Sequence, residues 1–132
     1  MGPYSIAIEN GPARRRGVAE KIAQCGESWG DPFELSRLRR EDYDFIAPRS
    51  ASEDVLSANT LPSVATARGH QYPTAFLNVA SGLSAHGLDA RRPLPFTHID
   101  LGGSATENGD WQHGRPTAAP VAALTAWLLE LG

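Results

Sequence analysis

Pro93-Leu94-Pro95-Phe96-Thr97-His98-Ile99-Asp100-Leu101-Gly102-Gly103-Ser104-Ala105 is the stretch whose reading decides the fold of this 132-residue chain. Phe96 to Leu101 reads as a short strand, and the paired glycines that follow turn the chain at its end. A polar loop comes next, then Gly114-Arg115-Pro116, then an apolar helix from Val121 to Leu131. In that helix Val121, Leu124, Leu128 and Leu131 fall at spacings of 3, 4 and 3, one helical face with Trp127 beside it. Because the helix is apolar around most of its circumference, burial on more than one side is expected. On that reading Leu128→Asp places a charge in a buried stripe and damages folding.

Working outward, Tyr4 to Ile8 is a strand candidate closed by the turn dipeptide Asn10-Gly11. Pro12 suits a first helical turn. Ala13 to Gln24 is expected as one helix, with Val18 and Ile22 on its buried side and Gly26 placed to stop it. Phe33-Glu34-Leu35 is extended, and Arg40 to Phe45 forms one or two helical turns ended before Pro48. Residues 48 to 72 show no clean period, which in a compact domain marks a functional loop or one packed on a partner. Pro73 opens a helix from Thr74 to Gly82 whose buried stripe is expected to be Phe76, Leu77 and Ala80. Two or three strands against three or four helices give the class α/β. So few strands make a poor free-standing sheet, so the chain reads as a single, incomplete domain over residues 1–132.

Composition narrows the function. Hydrophobic residues at 41% and charged ones at 20% describe a globular chain. A net charge of −3 gives no reason to expect nucleic acid or an anionic membrane as partner. No apolar run reaches the ~18 residues of a membrane span, and no segment resembles a signal peptide. Cys25 is the one cysteine, which excludes an intrachain disulfide and fits a reducing compartment. A cytoplasmic location is the expectation. Cys25 itself reads as a small buried residue at a helix end.

The residues alone assemble no catalytic set. His98 and Asp100 are two apart and so share one face of the strand. They form either an acid/base or metal-ligand pair at the sheet end, or a structural pair; with no third ligand at fixed spacing the structural reading is preferred. His70, His86 and His113 form no HxxxH or HxH set and read as surface histidines. Gly102-Gly103-Ser104 fails G-x-S-x-G because Thr106 holds the last place. Two glycines there let substrate or backbone come close to the strand end. The acids Asp42, Asp44, Glu53 and Asp54 read as solvated residues near helix starts, and the arginine runs 14–16 and 37–40 are each followed closely by acids.

Thr97 to Gly103 and Gly114-Arg115-Pro116 resemble the "HLDIAG" strand and "TGRP" loop near the C-terminus of the leucyl aminopeptidase (cytosol aminopeptidase) family. Met1 to Ala7 is similar to the segment after that family's "TLTGA" motif. Trp29-Gly30-Asp31-Pro32-Phe33-Glu34, Val55-Leu56-Ser57-Ala58-Asn59 and Tyr72 to Leu83 stand in order for its further segments. The resemblance implies the C-terminal part of a three-layer α/β/α metallopeptidase domain that removes N-terminal residues from peptide substrates. It implies two divalent ions, zinc or manganese, in the whole enzyme, and a hexameric homo-oligomer. The ions' ligands lie in "K…FDSGG" and "NTDAEGR" segments, neither of which occurs here; Lys21 is the only lysine and lies in an unrelated helix. The expectation is therefore no metal bound by this chain and no peptidase activity from it alone. What carries over is a wall of the specificity pocket, Gly102 and Ala105, with Gly102 replacing an alanine and Ala105 standing where a methionine can occur. Alternatively the chain is a non-catalytic paralogue that binds full-length aminopeptidase subunits.

Overall fold

A computed structural model describes residues 4–56, 61–62, 65–102, 105–107 and 114–132. Three strands form the main sheet: β1 (Ser5–Glu9), β2 (Phe33–Arg37) and β3 (Thr97–Asp100). Their order is β2-β1-β3, with β2 parallel to β1 and β3 antiparallel to it. Among the described residues, five helices accompany them: α1 (Gly11–Arg15), α2 (Val18–Trp29), α3 (Arg40–Phe45), α4 (Tyr72–Ala80) and α5 (Val121–Leu131). A 3-10 turn covers Leu83–His86, and two short strands, β4 (Thr106–Glu107) and β5 (Arg115–Pro116), pair antiparallel. The class is α/β, as the residue patterns predict.

Register decides which side chains meet which helices. Ile99 pairs with Ala7, and Ser5 with Phe33, so those residues share the face covered by α2 and α5. The core there is Ala7, Ala19, Ile22, Phe33 and Ala123, with Ile99, Leu124 and Trp127 packed around it. Ile6 and Ile8 of β1, Ser36 of β2, and His98 and Asp100 of β3 point to the opposite face. That second face is crossed by the segment leading into α4, where Gln71 Nε2 donates to Ser36 Oγ at 2.9 Å. Ile8 and Ile22 lie fully out of water, each stabilising the fold by about 1.5–3 kcal/mol.

The expected helix over Ala13–Gln24 is in fact two. Gly17 adopts φ +64°, a left-handed conformation that breaks the chain between α1 and α2. Asn10 caps α1, its Oδ1 accepting from Ala13 N at 3.0 Å. Gly17 offers α2 no side-chain cap, and Glu9 supplies one instead: its Oε2 accepts from Ala19 N at 3.0 Å. Nor does Gly26 stop the helix. α2 continues to Trp29 and ends at Gly30, at φ +69°. Gly26 is a close-approach position, since a Cβ there would run into the Asp31 carbonyl.

Two buried faces also differ from the expected ones. α4 turns Thr74, Ala75 and Asn78 inward, while Leu77 and Ala80 are exposed. Its neighbour α3 offers a polar contact, Asn78 Nδ2 donating to Tyr43 Oη at 2.9 Å. In α5 the buried residues are Ala123 and Ala126; Val121, Leu128 and Leu131 are about three-fifths exposed and Leu129 more so. α5 lies against Ala19 and Ile22 of α2, and a close approach of two helices selects small side chains at the contact. Asp31 fixes the start of α5, its Oδ2 accepting from Ala123 N at 3.0 Å.

Candidate functional site

The carboxyl end of β3 is where the sequence puts its candidate residues. Asp100 is the last residue of the strand, and Gly102 and Ala105 follow in a turn closed by Ala105 N donating to Gly102 O at 3.1 Å. Thr117 N donates to Ala105 O at 3.0 Å, so the paired β4 and β5 are tied to the same turn. Both Gly102 and Ala105 are partly exposed. Gly103, Ser104 and His113 lie outside the described residues, as do Ser57 to Asn59.

Asp100 has a partner that the spacing of residues does not reveal. His70 Nδ1 and Asp100 Oδ2 are 2.6 Å apart, with about a fifth of each side chain exposed. His70 is therefore no free surface histidine. A carboxylate on Nδ1 fixes the imidazole's orientation and tautomer and leaves Nε2 as the chemically available nitrogen. His98 shares the face of Asp100 but is not its hydrogen-bond partner. Burial lowers the His98 pKa from its ordinary value, with the charge of Asp100 opposing that shift.

His70 is held in place by its neighbours. Arg68 takes φ +57°, and its guanidinium grips Asp42 in a bidentate pair, Nε to Oδ1 at 2.6 Å and a terminal nitrogen to Oδ2 at 2.8 Å. The same group donates to the Arg37 carbonyl at 2.7 Å. Hydrogen bonding to Asp42 raises the Arg68 pKa, against the opposing effect of burial. Asp42 is thus no solvated helix-start acid: its side chain is fully buried, and it also accepts from Arg39 N at 2.7 Å. Arg68, His70 and Gln71 reach Asp42, Asp100 and Ser36 in turn, so one short segment stitches α3, β3 and β2 together. A polar run directly before the helix-opening Pro73 was the available signal for this segment.

Among the described residues, no group of three or more His, Cys, Asp or Glu side chains is arranged to hold a metal ion. His70 with Asp100 is a pair, which by itself does not fit a two-metal centre. Cys25 sits buried within α2, and burial pushes its thiol pKa up, as befits an inert packing residue. No helix among the described residues is long and apolar enough to cross a membrane.

No protein-family model and no solved structure matches the chain significantly. Among curated proteins, the chain is 40% identical over 123 residues to the Caenorhabditis elegans protein named "Putative aminopeptidase W07G4.4". The match covers 93% of this chain and 24% of that protein, so the chain spans about a quarter of its relative's length. The sequence is aminopeptidase-like over almost all of its residues.

Proposed function

We propose that this chain is the C-terminal part of an aminopeptidase-type catalytic domain, in which it supplies a wall of the substrate pocket. The match to an aminopeptidase-named relative over 93% of the chain carries the reading. The turn at the end of β3 supports it, because Gly102 and Ala105 sit partly exposed beside the fixed His70–Asp100 pair. Small side chains at both positions leave room for an apolar N-terminal side chain of a peptide. The two divalent ions of such an enzyme, zinc or manganese, would polarise the scissile carbonyl and activate water. Their ligands would come from segments other than those described here. The 132-residue chain incubated with leucine p-nitroanilide and Zn²⁺ or Mn²⁺ is expected to release no nitroaniline. Turnover abolished by a chelator would overturn this reading.

A second reading is favoured by one observation, the exposed apolar side of α5 formed by Val121, Leu128, Leu129 and Leu131. On that reading the chain binds whole aminopeptidase subunits and joins their oligomer without itself catalysing. Co-expression with an intact homologue, followed by gel filtration, is then expected to give a mixed complex. Elution of the chain alone would count against it.

A further inference from the structure

β1 and β2 run parallel, and the chain leaves them in opposite directions. After β1 it passes through α1 to α2, on the face of Ala7 and Phe33. After β2 it enters α3 and then the 68–71 segment on the other face, where Gln71 bonds Ser36 and His70 bonds Asp100. Adjacent parallel strands whose connections part in this way leave a crevice outside their carboxyl ends, the place where open α/β sheets bind ligands. Here that crevice is real, with a volume of about 420 Å³. It lies at the other end of β1 from Asp100, whose register partner is Ile6 near the strand's start.

The walls have a definite chemistry. Arg14 of α1 and Arg37 at the end of β2 both line the crevice, and neither forms an ion pair among the described residues. Among the described residues lining it Glu9 is the only acid, and its carboxylate is engaged by Ala19 N. Tyr43 and Ser84 contribute hydroxyls. Asn78 also lines the crevice and is 6% exposed; its Nδ2 donates to Tyr43, while its Oδ1 is buried with no partner. That oxygen has almost no accessible surface of its own, so it lies behind the wall, and the exposed cations and hydroxyls are what the crevice presents.

We propose that this crevice binds a small anionic molecule, with Arg14 and Arg37 holding the anion and the Tyr43 and Ser84 hydroxyls beside it. Carboxylate and phosphate share the chemistry that a pair of guanidinium groups recognises. The site is independent of the substrate pocket at the end of β3, and neither reading depends on the other.

Amide NMR titration of the 132-residue chain tests it. The probes are AMP and N-acetylglycine, with adenosine and N-acetylglycinamide as their neutral counterparts. Signals of Gly11, Ser84 and the Asn78 side-chain amide are expected to shift with an anionic probe and not with its neutral counterpart. A response to AMP assigns the anion as phosphate, and a response to N-acetylglycine assigns it as carboxylate. Arg14→Gln and Arg37→Gln, at exposed positions, are each expected to weaken binding about five- to tenfold with thermal melting unchanged. The proposal is overturned if neither anionic probe shifts those signals, if the neutral counterparts bind as tightly, or if the double variant binds like the unsubstituted chain.

Discussion

His70 and Asp100 stand 30 residues apart in the chain, yet their side chains meet at 2.6 Å on the sheet face opposite the α2–α5 core. The contact joins the segment before α4 to the end of β3, and so fixes the strand end on which Gly102 and Ala105 follow. Asp100→Asn removes the charge and weakens that bond. With both groups partly exposed, the expected loss is about 1 kcal/mol of stability, read as a lower urea midpoint. A midpoint equal to that of the unsubstituted chain would mean the pair holds nothing together.

Arg68→Gln should cost more. It leaves the Asp42 carboxylate buried with Arg39 N as its remaining donor. Removing one partner of a buried pair is strongly destabilising, and allowing for the partial exposure of Arg68 the expected loss is about 2 kcal/mol. Arg68→Lys is expected to recover only part of this, because an ammonium cannot make the two-pronged contact. Full recovery with lysine would show that charge alone matters.

His98 gives the fold a pH dependence. Burial lowers its folded pKa below the ordinary 6.5, so between those two values the unfolded chain binds the extra proton. Its contribution therefore makes stability fall as pH drops from above 6.5 through the folded pKa, then level off below it. His98→Gln is expected to flatten that part of a stability-against-pH curve measured from pH 8 to 5. An unchanged slope would assign the dependence to other groups.

Gly26→Ala tests the path of α2. Its Cβ would strike the Asp31 carbonyl, which is backbone and already bonded into the turn through Asp31 N and Gly26 O at 2.8 Å. The expected cost is about 1–3 kcal/mol, even though alanine is the better helix former. A stabilised variant would show that the turn after Trp29 yields freely.

Leu128→Asp and Ala123→Leu separate the two accounts of α5. Spacing alone predicts that the first is damaging. The structure leaves Leu128 59% exposed and Ala123 fully buried, so Leu128→Asp is expected to change stability by less than about 0.5 kcal/mol. Ala123→Leu is expected to cost about 1–3 kcal/mol by overpacking. Thermal melting of the pair decides; the reverse order would restore the leucine face as the buried one.

The strands were legible because they carry local signals. Phe33 and the Phe96-to-Leu101 run read directly as strand, the latter observed over Thr97–Asp100, and Arg40–Phe45 forms the helix that its neighbours predict. The break at Gly17 was not legible, because a glycine inside a helical pattern has many uses and only the left-handed φ reveals this one. Nor was the role of Gly26, which depends on where the Asp31 carbonyl returns.

By itself the sequence determined the α/β class, a strand within Phe96 to Leu101 and the glycine turn beyond it, since these follow from residue types within a few positions of one another. It also placed Gly102 and Ala105 at the end of that strand. Only the tertiary structure decided that Asp100 pairs with His70 rather than standing beside His98, that Asp42 is buried under Arg68, and that α5 packs through alanines. Each of those depends on residues far apart in sequence meeting across a sheet face or a helix contact. Periodicity shows that a helix has an apolar side, but how closely its neighbour approaches decides whether large or small side chains fill the space between them.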